Sequence, residues 1–228
     1  MDAPNLIPAI HVVDEHDATG RLLARSSLAG GVAQGPLTRF GPQGQAVLQA
    51  EFDRGVLSGP MQIRDDQGVL LREAHYADGK LDGEVLTYVD GKVAASQRYV
   101  AGVLHGDSVA YAASGLAVTR RPYVAGKLDG VAETLHEGAV VQRATYRQGV
   151  LDGETLDYSP DGLQTASSPY RAGVLHGTAR RYRPNGAVLA ERRYEQGVPV
   201  GSWRMVAEPD EIPAPVRFGA RLEKWVRG

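Results

Sequence analysis

The polar side chains best placed for chemistry recur one residue before a glycine: Ser58, Asp82, His105, Asp129, Asp152 and His176. Histidine and aspartate are the residue types of metal sites and acid–base pairs. Their spacing argues against both uses. His105 and His176 are 71 residues apart. Stacked β-strands would hold them roughly 25–30 Å from each other, too far to share an ion. Asp82 and Asp152 are separated in the same way, and an aspartate beside glycine suits the hydrogen bonding of a turn. His11 and His16 have no third ligand at metal-site spacing. No serine stands in a G-x-S-x-G elbow, and no glycine run opens a helix as a phosphate loop would. The expectation is a chain without a catalytic set, metal or cofactor, and not an enzyme.

The glycines that flank these residues belong to a longer frame. In Tyr99–Tyr123 an aromatic opens the frame, Gly102 follows at three, Leu104 at five, Gly106 at seven, Tyr111 at twelve and a turn glycine, Gly115, at sixteen. The frame restarts at Leu28, Phe52, Tyr76, Tyr99, Tyr123, Tyr146, Tyr170 and Tyr194, every 24 residues, or 23 from Tyr76 and from Tyr123. A fixed period of this length signals a repeat architecture that grows in one dimension.

Each unit reads as two short strands. Asp90-Gly91 separates EVLTYV from KVAASQRY, and such a pair between runs of Val, Thr and Tyr predicts a two-residue hairpin turn. Glu137-Gly138 is its counterpart. The 24-residue units have one extra turn residue: Ser159–Gly162 and Arg183–Gly186 fit a type I turn closed by a left-handed glycine. The stretch between the paired glycines, as in Gly102–Gly106, predicts a longer connection that folds back and buries its leucine. No stretch sustains a helical period. The predicted fold is all-β: an elongated single-layer antiparallel meander of about eight β-hairpin repeats, a curved rod of roughly 16–18 strands with a thin spine of Tyr and Leu. Residues 1–27 form an N-terminal extension and capping hairpin, 28–206 the repeats, and 207–228 a Pro-rich linker and C-terminal cap sealed by Trp225.

Composition fits this reading. Glycine is abundant, with 28 residues, while only 10 Tyr, 3 Phe and 2 Trp supply aromatic mass. There is no cysteine, which excludes disulfides and thiol chemistry. No apolar run approaches the ~20 residues of a membrane-spanning helix. MDAPNLIPAI lacks the basic and apolar regions of a signal peptide, so the expected location is cytoplasmic, or periplasmic if a signal has been removed. Net charge is −2, which gives no global attraction to nucleic acid. The N-terminal half is acidic and the C-terminal half basic.

The pattern Y-x-x-G-x-L-x-G with a second aromatic five residues on resembles the MORN (membrane occupation and recognition nexus) repeat. YADGKLDGEVLTY (76–88), YVAGKLDGVAETL (123–135), YRQGVLDGETLDY (146–158) and YRAGVLHGTARRY (170–182) are the clearest copies. The resemblance covers residues 28–206 and is nearest to the bacterial variant class found in antitoxin and immunity-like proteins. It implies a scaffold that binds a cognate toxin or effector and carries out no reaction. The Trp-rich form of the eukaryotic repeat is absent.

Positions shared by all units read as scaffold, and positions that differ read as specificity. Nine and eleven residues into each unit come Val85/Thr87, Ser108/Ala110, Ala132/Thr134, Thr155/Asp157, Ala179/Arg181 and Trp203/Met205. Strand alternation places them opposite the aromatic at twelve. They change from small and neutral to charged, then large and apolar. The candidate partner-binding residues are therefore Asp157, Arg180, Arg181, Arg183, Arg192, Trp203 and Met205, with Arg and Trp as the expected centres of binding. The expected function is neutralisation of a toxin or effector protein by a monomeric scaffold that occludes it, without nucleic acid. A membrane- or phospholipid-associated scaffold is the alternative, and the arginine-rich stretch 180–193 is what would contact phosphates.

Overall fold

A computed structural model describes residues 8–207. The expected Pro-rich linker and Trp225 cap lie outside the described residues. The chain is all-β: 20 strands joined as an open antiparallel meander, with no helix among the described residues. Met1–Gly106 forms one compact unit and Asp107–Gly228 a second. The first holds β1 (Ile10–His16), β2 (Leu22–Ala29), β3 (Val32–Phe40), β4 (Ala46–Asp53), β5 (Val56–Arg64), β6 (Leu70–Ala77), β7 (Lys80–Leu81), β8 (Gly83–Val89) and β9 (Lys92–Val100). From there β10 (Val103–Tyr111) leads into the second. That unit holds β11 (Ala117–Val124), β12 (Lys127–Leu128), β13 (Gly130–His136), β14 (Ala139–Arg147), β15 (Val150–Tyr158), β16 (Gln164–Arg171), β17 (Val174–Leu175), β18 (Gly177–Tyr182), β19 (Val188–Glu195) and β20 (Val198–Met205). β7/β8, β12/β13 and β17/β18 are halves of single strands, each broken at one residue. At these breaks the N–H of Asp82, Asp129 and His176 donates to His75, Pro122 and Pro169 at 2.9–3.0 Å. With each broken strand counted once, the meander has 17 runs.

Two kinds of turn alternate. At one end of the hairpins lie the four-residue turns of the 24-residue units. The Ser159 N–H donates to the Leu163 carbonyl and the Gly162 N–H to Ser159, both at 2.9 Å, and Gly162 has φ +82°. The turns beginning at Asp17, Gly41, Asp65, Ala112 and Arg183 repeat this bonding. Pro42, Pro160 and Pro184 stand second in their turns, where a fixed φ is already correct. Asp90-Gly91 (φ +50°, +72°) and Glu137-Gly138 (φ +52°, +84°) are the two-residue turns expected of the shorter units.

The connection at the other end differs from its expectation. The first glycine of the frame closes a tight two-residue turn, as in Gln148-Gly149 (φ +51°, +86°), and not a longer loop. The second glycine is already inside the next strand, at a bulge. Tyr146 faces Leu151 and Ala144 faces Thr155, so Asp152, Gly153 and Glu154 stand opposite Thr145 alone. Gly153 has φ +132°, and a Cβ there would lie 2.8 Å from that of Thr145. The spacing G-x-x-x-G thus encodes a turn followed by a bulge. The aromatic that opens the next unit is the direct partner of this glycine: Gly59 faces Tyr76, Gly83 faces Tyr99, Gly153 faces Tyr170 and Gly177 faces Tyr194.

Burial also departs from expectation. The opening tyrosines and their leucines are half-buried, the buried polar side chains Ser27 and Ser167 lie on the face opposite the opening aromatics, and the buried apolar side chains are mostly small: Ala50, Ala74, Val85, Leu135, Ala144, Ala179 and Ala190. All of these apolar side chains but Leu135 lie on the face that carries the opening aromatics. A single layer has no opposing sheet, so a side chain is enclosed only by taller neighbours on adjacent strands. Alanine is short enough to sit beneath them.

The bulge predicts that Gly153→Ala destabilises more than Gly162→Ala. Positive φ costs a side chain about 1–2 kcal/mol at Gly162 and more at Gly153, whose φ of +132° lies beyond the left-handed region. Only Gly153 adds a collision, since an added Cβ at Gly162 meets nothing within 4 Å. Urea denaturation checks this, and equal losses would remove the Thr145 contact as the cause. A second prediction concerns the first turn. Asp17 Oδ1 accepts from the Thr19 hydroxyl (2.6 Å) and from the backbone N–H of Thr19 (2.8 Å) and Arg21 (3.1 Å). These bonds, the Thr19 hydroxyl foremost, lower its pKa to about 2. The turn is therefore stabilised above pH ~4, the usual range for aspartate, and the contribution disappears as pH falls toward 2. Asp17→Asn should abolish that acid transition of the β1–β2 hairpin, followed by NMR of its amide resonances.

Candidate functional site

Pairing register sorts the side chains onto two faces. The spine face carries the opening aromatic, the leucine opposite it, and the residues two and four before the aromatic. It also carries positions nine and eleven. The direct pairs Ala50–Met61, Ala74–Met61, Ala132–Ala144 and Ala179–Arg192 tie these rows together. The opposite face carries position ten, the residue three before the aromatic, and the aromatic at twelve.

That opposite face carries a ladder of ion pairs and charge-assisted hydrogen bonds. In the second unit Glu133 lies between Arg120 (3.5 Å) and Arg143 (3.0 Å). Glu191 is paired with Arg204 and lies 3.9 Å from Arg180. The Arg204 hydrogen bond, with the charges of Arg204 and Arg180, holds the Glu191 carboxyl below its ordinary range. In the first unit Arg25 forks onto Asp14 at 2.7 Å through two nitrogens, and Gln62 donates to Glu73 at 2.8 Å. The Tyr88 hydroxyl donates to the same Glu73, which with burial pushes its pKa up to about 12. These residues are 10–15 apart in sequence and meet only through register.

The spine face is different. Its strand interiors carry Arg39 and Arg72 in the first unit, and Arg121, Arg181 and Arg192 in the second. None of the five makes an ion pair among the described residues. The acids on this face are Glu15 in β1 and Asp157, which accepts from Gln142 at 2.8 Å. The Arg72 Nε and Thr155 Oγ1 atoms are buried there without a hydrogen-bond partner. A buried polar atom left so costs about 1–3 kcal/mol.

Of the seven candidate residues, the structure brings five onto the spine face: Asp157, Arg181, Arg192, Trp203 and Met205. Arg181 lies 4.4 Å over the Trp203 ring and Arg192 lies 5.6 Å over Tyr194. Met205 is 66% exposed. The other two separate from them. Arg180 projects to the ladder face, because adjacent strand residues alternate. Arg183 leaves β18 for the turn and donates to the carbonyls of Val188 (2.5 Å) and Val206 (2.8 Å), which ties the start of β19 to the residue after β20. Position nine is also less open than alternation implied. Val85 is 1% exposed and Ala179 4%, so this row is packing as well as surface. Arg39, Arg72 and Arg121 were missed by the sequence reading. The signal for Arg39 is position eleven itself, extended two units earlier.

The residue before the second glycine has a structural task. The Asp82 carboxylate accepts from the Ala101 N–H at 3.0 Å, and Asp129 from the Gln148 N–H at 3.1 Å. Each caps the turn of the following repeat. His176 stands at the same place toward the Gln196 N–H, at 3.5 Å. Among the described residues no group of three or more His, Cys, Asp or Glu is placed to hold a metal. No family model matches the chain, and no curated protein is significantly similar to it.

Proposed function

We propose that this chain is a protein-binding repeat scaffold that acts as an immunity or antitoxin protein, neutralising a cognate bacterial toxin or effector by covering it. The observation that carries the binding part is the contrast between faces. On the ladder face the acids Asp14, Glu133 and Glu191 are matched by arginines within the chain. Spine-face arginines make no ion pair among the described residues, and in the second unit Arg181 and Arg192 share that face with Trp203 and Met205. Desolvated arginine and tryptophan dominate binding energy where proteins meet, and a face with unmatched cations attracts an acidic counterpart. The immunity part rests on the MORN-like repeat.

A second reading, a membrane- or phospholipid-associated scaffold, has its own support. Valines just after the first glycine are exposed in row: Val32 and Val56 in the first unit, Val150, Val174 and Val198 in the second, by 41–65%. Lys80 and Lys127 occupy the same position in other repeats.

Co-expression with the product of the adjacent open reading frame tests the first reading, and it predicts a stable complex by size-exclusion chromatography. Arg181→Glu and Trp203→Ala should each weaken that complex about tenfold or more, within the range of interface centres, with circular dichroism unchanged. A toxin-like neighbour that fails to co-purify would count against the reading. Sedimentation with phosphatidylserine vesicles at physiological salt would favour the second.

A further inference from the structure

The C-terminal end of the spine face contains a small cleft whose shape and charge specify more than a general docking surface. Ala166, Ser168, Leu175, Ala179, Tyr194 and Trp203 line it with Arg180 and Arg181. Its floor is low because position nine is alanine here, where the repeats of the first unit have Leu37, Met61 and Val85. Arg192 is the direct cross-strand partner of that alanine. The walls are aromatic or aliphatic. The charge at the lip is Arg181, whose guanidinium is stacked on Trp203 at 4.4 Å.

Stacking engages the flat face of a guanidinium and leaves its N–H donors at the edge. Arg181 makes no hydrogen bond or ion pair with another described residue. Its fork is thus held in place by the indole while its donors are unspent. The group that matches a planar fork is a carboxylate, which accepts two parallel N–H bonds. The apolar floor suits the aliphatic stem of an acidic side chain. A nucleic-acid backbone is a poorer match. It needs cations in a continuous track, and the neighbouring Arg180 and Arg204 are already taken by Glu191.

We propose that this cleft receives a glutamate or aspartate side chain from the surface of the partner protein, with its carboxylate bidentate on Arg181 and its stem over Ala179. Arg192 adds long-range attraction, since its Nε is engaged by the Gly201 carbonyl at 3.0 Å. This rests on the reading of the spine face as the partner-binding face, and narrows it to an acidic segment.

Trp203 is its own reporter. The chain has 2 tryptophans, so Trp225→Phe leaves Trp203 as the sole tryptophan, excited selectively over the tyrosines at long wavelength. The full-length Trp225→Phe protein is titrated with hexaglutamate, hexaglutamine, inorganic phosphate and a short DNA duplex at low ionic strength. The expected result is a saturable emission change with hexaglutamate and none with hexaglutamine. Arg181→Gln should weaken the hexaglutamate response about tenfold, one lost charge-assisted pair. Arg181→Lys, which keeps the charge but not the fork, should fall between. Unchanged circular dichroism shows that the variants fold. No saturable response to hexaglutamate, or an equal one in Arg181→Gln, overturns the inference. Tighter binding of phosphate or the duplex also overturns it and makes the cleft a polyanion site. A neighbouring gene product that still co-purifies while hexaglutamate gives no response sinks the inference alone; loss of both sinks the scaffold reading too.

Discussion

One backbone bond, repeated, holds the register on which everything else depends. In six of the tight turns the N–H of the first glycine donates to the carbonyl five residues into the preceding unit. Gly55 reaches Ala33, Gly79 reaches Leu57, Gly102 reaches Leu81, Gly149 reaches Leu128, Gly173 reaches Leu151 and Gly197 reaches Leu175, all at 2.7–2.9 Å. In a two-residue hairpin with both central φ positive, the second central N–H has no partner within the hairpin itself. A donor left to water becomes a link between repeats. Glycine is required because its φ is near +80°. The residue before it accepts φ near +50° in arginine, aspartate, alanine and glutamine alike. That position varies freely while the glycine does not.

The bulge follows from this link. The turn ties the end of a strand to the preceding unit, yet the remainder must pair with the next. Packing three residues opposite one at Gly153 reconciles the two demands. The displacement recurs at the same position in each repeat, so inward and outward rows stay continuous from strand to strand. Continuous rows let Arg120, Glu133 and Arg143 meet in line on one face while alanines line up on the other. A drift of one residue would exchange the faces and break the ladder.

Much of the architecture was legible in the chain. The 24-residue period, the Asp-Gly and Pro-x-Gly turns and the absence of helical periodicity led to an antiparallel meander with the correct strand count. The aspartates before glycine were read as turn residues, and they are, although they serve the next turn along. What escaped was anything that depends on displacement within a strand. G-x-x-x-G reads equally well as a loop or as a turn plus bulge, and only pairing separates them. Arg180 and Arg181 look like one basic cluster in sequence but project to opposite faces. Arg183 looks like a third member and is consumed by two carbonyls. The ion pairs of the ladder span 10–13 residues, a distance set by turn length plus bulge.

Position nine shows why packing and recognition are hard to separate in a single layer. A row residue has neighbours on two sides and nothing above, so its size alone decides whether the surface there is filled or hollow. Val85 fills its place between Ala74 and Gln97. Ala179, facing Arg192, leaves a hollow that the neighbouring Trp203 and Tyr194 turn into a cleft. The backbone hydrogen bonds and glycine turns do not depend on which of the two is present. Exchanging one small apolar residue for another at this position therefore changes the shape of the face without touching the register. The frame can stay constant because variation is confined to a row where it alters relief and charge. This physical division leaves the shared residues to build the sheet and the differing ones to select what it meets.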